Sequence, residues 1–166
     1  FIKPGVMEFE IEAEITAEML RLRSAGHAYS PIIASGKSAC VLHYIENNRK
    51  CNKGDVLLMD FGAEYANYAS DLTRCVPVSG RFTKRQKDVY NAVLKVMKES
   101  VKLLRPKVIL DDYRSQTDNI DGILYHKEVG RIMESELIGL GLIDKKDIRN
   151  QDPKAPLYRK YFMHGA

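Results

Sequence analysis

Val56-Leu57-Leu58-Met59-Asp60-Phe61-Gly62 is an apolar run broken by one carboxylate, and Tyr68-Ala69-Ser70-Asp71-Leu72-Thr73-Arg74-Cys75-Val76-Pro77-Val78 follows it after a short link. The first run reads as a buried strand and the second as its antiparallel partner. Asp60 is the informative residue, because a buried carboxylate without a cation, a donor or a proton is costly. Asp71 stands eleven residues later, and a hairpin centred between Tyr65 and Ala66 sets the two aspartates opposite each other. Opposed residues of an antiparallel pair share a face, with Cβ atoms about 4.5 to 5.5 Å apart. Two carboxylates so placed repel unless a cation lies between them, and a pair of metal ions about 3.5 to 4 Å apart would use that geometry. The alternative is two unrelated aspartates, one of them capping a turn. The link Glu64-Tyr65-Ala66-Asn67 lacks the Asn-Gly or Asp-Gly pair of a tight hairpin.

Upstream, the stretch from Met7 to Gly26 alternates apolar and acidic residues in its first half, a strand-like pattern. Its length, its Glu, Ala, Leu, Met and Arg content and its lack of turn residues predict a helix instead. Ile11, Ile15, Met19 and Leu22 then form the apolar face, Gly26 is the stop, and Glu8, Glu10, Glu12 and Glu14 read as a solvated face. Pro31 to Ser35 reads as a strand, and Ala39 to Tyr44 as a following loop or strand beyond Gly36-Lys37. Asn47-Asn48 and Asn52-Lys53-Gly54-Asp55 are turn chemistry. Thr83-Lys84-Arg85-Gln86 reads as a capping box. It opens a helix with Val89, Tyr90, Val93, Met97 and Leu104 on one side, stopped by Pro106. A second helix is predicted from about His126 to Ile138, with Val129, Ile132, Met133 and Leu137 inward. Asn150 to Lys160, with Pro153 and Pro156, reads as a loop. Strands and helices together give an α+β class.

The chain has 166 residues, 45% hydrophobic and 29% charged, which is a globular composition rather than a disordered or collagen-like one. No stretch approaches the roughly 18 to 20 apolar residues of a membrane span. The net charge of +4 hints at nucleic acid, but bases alternate with acids, as in Asp144-Lys145-Lys146-Asp147, and form no stripe. Neither nucleic acid nor membrane is therefore an expected partner. Cys40, Cys51 and Cys75 are odd in number and contain no CxxC, so the reading is reduced thiols in a cytoplasmic protein. Both ends read as cuts in a longer polypeptide. Phe1-Ile2-Lys3 before Pro4-Gly5 looks like the last turn of a helix, and the other end closes on Tyr161-Phe162-Met163-His164-Gly165-Ala166.

Of the histidines His27, His43, His126 and His164, His43 and His164 are flanked by apolar and aromatic residues and suit a pocket lining. His126 lies in a charged stretch and receives no role. No Gly-rich phosphate loop, HExxH or GxSxG is present.

Three runs carry a resemblance: Pro31 through His43-Tyr44, Gly54-Asp55 through Asp60 to Tyr65, and Tyr68-Ala69-Ser70-Asp71-Leu72-Thr73-Arg74. Together with the closing Tyr-Phe-Met-His-Gly-Ala they resemble the Xaa-Pro aminopeptidases (aminopeptidase P), members of the pita-bread metallopeptidases. Several separated motifs occur in order and spacing over most of the chain. The resemblance implies a pita-bread fold, a curved antiparallel sheet flanked by helices, with residues 1–166 forming about the first two-thirds of a catalytic domain. It implies two divalent ions, commonly manganese, held by two Asp, one His and two Glu. Asp60 and Asp71 match the two aspartates, the second of them bridging. The ligand His would fall four residues after His164, and both Glu further on. His43 and His164 match family histidines that line the substrate site, His164 assisting catalysis and His43 binding substrate.

The implied reaction is hydrolysis of the bond between an N-terminal residue and a following proline, by a metal-activated water, in a full-length enzyme that is a homo-oligomer. A prolidase, which cleaves only dipeptides, is the rival within the fold. A metal-free pita-bread binding module is the rival from another class, and Asp60 with Asp71 argues against it. The chain departs from the family pattern at Arg114 to Tyr125, an insert between Asp112-Tyr113 and His126-Lys127.

Overall fold

The computed structural model describes residues 1–103 and 131–141. The chain divides into two compact units, Phe1–Thr83 and Lys84–Ala166. Among the described residues no helix is long and apolar enough to cross a membrane.

The first unit opens with helix α1 (Glu8–Arg21). The Met7 N–H donates to the Glu10 carboxylate at 2.7 Å, which satisfies a donor at the helix start. The helix ends before Gly26. Arg23 takes the left-handed conformation (φ 66°), and the Arg23 and Ser24 N–H groups turn back to the Leu20 and Met19 carbonyls. Ile11 and Met19 face inward as expected, whereas Leu22 lies beyond the last regular turn and is 70% exposed. The acidic run departs from the solvated face read in the sequence, because Glu8 is fully buried.

Strands β1 (Gly26–His27), β2 (Ile32–Ser35), β3 (Val56–Phe61), β4 (Ala63–Tyr65), β5 (Tyr68–Ala69) and β6 (Leu72–Pro77) follow, with a 3₁₀ turn over Gly36–Cys40. They form two three-stranded sheets, ordered β2-β3-β6 and β1-β4-β5, with antiparallel pairing throughout. Residues 41–44 carry no strand, so the loop alternative of the sequence reading is the one realised. Val6, Ile11, Ile33, Cys51, Leu57 and Val78 make the core, where α1 packs against β2. Burial of these side chains is the main favourable term holding the unit together.

The hairpin is real, but its centre is displaced from the expected one. Tyr65 pairs with Tyr68, and the two-residue turn is Ala66-Asn67, with φ of 52° and 68°. Two successive left-handed residues turn the chain with the twist that antiparallel strands need. Asn tolerates that conformation, and the Asn67 N–H is held by the Glu64 carboxylate at 2.7 Å. Asp60 consequently pairs with Thr73, not with Asp71.

In the second unit, helix α2 (Lys84–Leu103) and a helical segment at 131–139 are described. Lys95 meets Glu136 at 2.5 Å, and the Arg85 guanidinium donates to the Leu140 carbonyl at 3.2 Å. The buried stripe of α2 is Ala92, Val96 and Ser100, whereas Val93 is 63% and Met97 53% exposed, against the expected face. Both stripes recur at helical spacing, and the smaller residues are the ones buried. Ile132, Met133 and Leu137 are half-buried, as expected. Leu104, Pro106, His126, Val129, the 114–125 insert and the 150–160 loop lie outside the described residues.

Candidate metal site

Side-chain alternation along β3 sends Leu57, Met59 and Phe61 to one face and Leu58 and Asp60 to the other. Leu57 is fully buried in the core under α1. Asp60 therefore lies on the opposite, more open face and is only half-buried. A carboxylate can occupy an apolar strand here because it never enters the core.

Asp71 falls between β5 and β6. The pairs Phe61 with Leu72 and Ala63 with Ser70 bracket Gly62 and Asp71 as the intervening opposite positions. Opposite residues share a face, so Asp60, Gly62, Asp71 and Thr73 all point the same way. Asp60 and Asp71 are diagonal neighbours, not direct partners. The shift by two residues preserves the face while changing the pairing, and the sequence expectation of a shared face stands on that basis. A side chain at position 62 has no room, since a Cβ there would lie 1.7 Å from the Ser70 carbonyl oxygen and 2.9 Å from the Tyr29 ring. Gly62 lets the two strands and the tyrosine close on one another.

Tyr29 is the residue that sequence reasoning missed. The Ala28 N–H bonds to the Gly62 carbonyl at 2.8 Å, and the next registered pair is Ile32 with Asp60. Tyr29, Ser30 and Pro31 thus face Phe61 alone. This bulge interrupts the ladder between the two sheets and turns the Tyr29 side chain toward the aspartates. Its hydroxyl lies 2.6 Å from Asp60 Oδ1 and 3.0 Å from Asp71 Oδ1. Burial first, then the hydrogen bonds to Asp60 and Asp71 and their negative charge, push the Tyr29 pKa far above its ordinary value of 10.0. The hydroxyl therefore stays a donor near neutral pH. The available signal was Pro31, which breaks strand pairing and so favours a bulge close by.

Among the described residues, no three or more His, Cys, Asp and Glu side chains gather in a metal-holding cluster. The described part of the site is the Asp60–Tyr29–Asp71 trio. His43 lies in the loop after the 3₁₀ turn, exposed, with φ of 51°. His27 is half-buried, and its Nε2 lies 2.7 Å from Thr16 Oγ1. His164 lies outside the described residues.

A model of metallopeptidase family M24 matches residues 1–165. The chain belongs to this family. Among similar M24 proteins, the Xaa-Pro aminopeptidase of Haemophilus influenzae is 37% identical over 163 residues, 98% of this chain and 35% of that protein. The Xaa-Pro aminopeptidase of Escherichia coli is 36% identical over 165 residues, 98% of this chain and 34% of that protein. The chain thus spans about a third of the length of the curated relatives it matches. A structure of Escherichia coli aminopeptidase P in complex with substrate superposes with a TM-score of 0.81 at 36% identity, covering 99% of this chain and 34% of that one. The zinc-substituted enzyme in complex with product gives the same values. The α+β fold of this M24 chain is the pita-bread fold of aminopeptidase P, as the sequence implied.

Proposed function

We propose that this chain forms part of the catalytic domain of a metal-dependent aminopeptidase that releases an N-terminal residue preceding proline. The carrying observation is the trio itself: two carboxylates on one open sheet face, joined at a single tyrosine hydroxyl. Oxygen donors of this kind suit hard divalent ions, with manganese the preferred candidate and two ions the proposed number. Two solved relatives support the assignment of Asp60 and Asp71. They are aspartate-to-alanine variants of the Escherichia coli enzyme whose substituted positions stand eleven residues apart, the separation of Asp60 from Asp71.

Divalent ions, when bound, lower the pKa of a coordinated water toward neutrality. Asp60 and Asp71 would supply two of the carboxylates that hold them. Tyr29 donates to the carboxylates and so fixes which oxygens remain free. His43 is proposed to bind the peptide and His164 to bind or polarise it near the scissile carbonyl. The proposed substrate is a peptide with proline second, the enzyme a cytoplasmic homo-oligomer.

The test uses the full-length protein supplied with Mn²⁺ and a Xaa-Pro-Xaa tripeptide. Release of the N-terminal residue, abolished by a chelator, is the expected result. Cleavage of Xaa-Pro dipeptides alone would make it a prolidase. Absence of any metal-dependent hydrolysis would overturn the reading.

A further inference from the structure

Glu8 is a fully buried carboxylate that the proposed chemistry does not use. Its oxygens accept from the Ser35 N–H at 2.7 Å, the Tyr44 hydroxyl at 2.8 Å and the Arg49 N–H at 2.9 Å. Its own N–H donates to the Arg49 carbonyl at 2.9 Å. One turn further along α1, the Glu12 carboxylate accepts from the Asn47 side-chain amide. The three donors to Glu8 come from the last residue of β2 and from the middle and the end of the loop that follows it, residues 36–50, in which no strand is formed. Beyond the isolated Met7–Lys50 bridge and the bonds of its 3₁₀ turn, such anchors hold the shape of this loop.

His43 lies in the centre of that loop, beside Tyr44. Tyr44 is 4% exposed and points inward to Glu8, whereas Leu42 is 56% exposed and His43 is exposed as well. The His43 backbone is left-handed at φ 51°, a conformation that a residue with a side chain keeps only under constraint. A constraint of that kind is the Tyr44–Glu8 hydrogen bond one residue away. We infer that Glu8 is a positioning residue for His43, holding the 36–50 loop through Tyr44 so that the imidazole is presented outward to the peptide. The inference rests on the substrate-binding role proposed above for His43.

The test compares Glu8→Gln, Tyr44→Phe, His43→Ala and the double variant Glu8→Gln/His43→Ala in the full-length enzyme. Gln keeps the shape of Glu8, but in either orientation it sets an amide N–H against a backbone N–H, of Ser35 or of Arg49. Tyr44→Phe removes one hydrogen bond and keeps the ring, so it carries the test if Glu8→Gln does not fold. Misplacement of His43 should lower kcat/KM for a Xaa-Pro-Xaa peptide by between about tenfold and a hundredfold. The double variant should be no slower than His43→Ala alone, because both changes remove the same contribution. A structural role elsewhere would make the two losses multiply, and that result overturns the inference. So does unchanged turnover in a folded Glu8→Gln or Tyr44→Phe. The NMR signals of the His43 ring should move in both variants while Mn²⁺ affinity holds. If the parent enzyme shows no hydrolysis, the proposed function fails, and unmoved His43 signals then separately overturn the positional claim.

Discussion

At the scale of single residues, the site depends on one hydroxyl shared by two carboxylates. Tyr29→Phe removes the only proton donor that touches both aspartates among the described contacts. The variant should keep its fold and lose Mn²⁺ affinity by about 10- to 100-fold, the usual cost of deleting a partner behind a ligand. Isothermal titration of the full-length protein measures this directly. Asp71→Asn should cost at least about a hundredfold in turnover at limiting metal, since it removes charge from a proposed ligand and not from its support. A variant turning over normally at low Mn²⁺ would remove Asp71 from the ligand set. Tyr44 gives a different readout. Burial, followed by its hydrogen bond to Glu8, raises its pKa above the ordinary 10.0, so the fold favours the neutral phenol. The folded chain keeps that proton at pH values where the unfolded chain has lost it. The stabilisation is complete below about pH 10 and declines as pH rises above it. Denaturant melts across that range should show a shallower decline for Tyr44→Phe, with Tyr29 supplying part of what remains. Asp60 was legible in the sequence because a carboxylate in an apolar run is conspicuous, and Asp71 by its spacing from Asp60. Tyr29 was not, because a tyrosine beside a strand is ordinary until a bulge aims it. Glu8 was misread because it looks like its exposed neighbours Glu10 and Glu14, and only the donors waiting in a distant loop distinguish it.

At the scale of elements, the strands were legible from their apolar runs and α1 from its length and composition against a strand-like opening pattern, and the register was not. The hairpin turn was placed one residue too early because Ala66-Asn67 lacks the glycine that marks such turns. The error moved the pairing by two positions and left the faces unchanged, so the shared side of Asp60 and Asp71 survived a wrong register. Gly62 is where the elements close. Gly62→Ala would set a methyl 1.7 Å from the Ser70 carbonyl oxygen, which the hairpin cannot absorb without opening. The expected loss is at the upper end of overpacking costs, about 3 kcal/mol or more, read from urea unfolding. An unaltered midpoint would mean that the strands separate there at little cost. Two stripes on α2 were equally periodic, and periodicity alone had no means of choosing the one with Ala92, Val96 and Ser100.

At the scale of the whole molecule, the described residues bring together two carboxylates and no further metal-holding cluster. A polypeptide limited to residues 1–103 should therefore show no turnover of a Xaa-Pro-Xaa peptide in excess Mn²⁺, because two carboxylates alone hold a divalent ion weakly. Turnover comparable to a full-length relative would show that other residues of this chain complete the site. The face alternation of β3 has a further consequence, for how this stretch can change over generations. Leu57 and Asp60 are assigned to core and site by odd and even position alone. Loss of one residue between them would put both on the same face, driving the carboxylate under α1 if Leu57 keeps its place, or a leucine out of the core if Asp60 keeps its own. Substitutions there are graded injuries, whereas a single-codon deletion is a parity error, so the length of this strand should tolerate less change than the identity of most of its side chains.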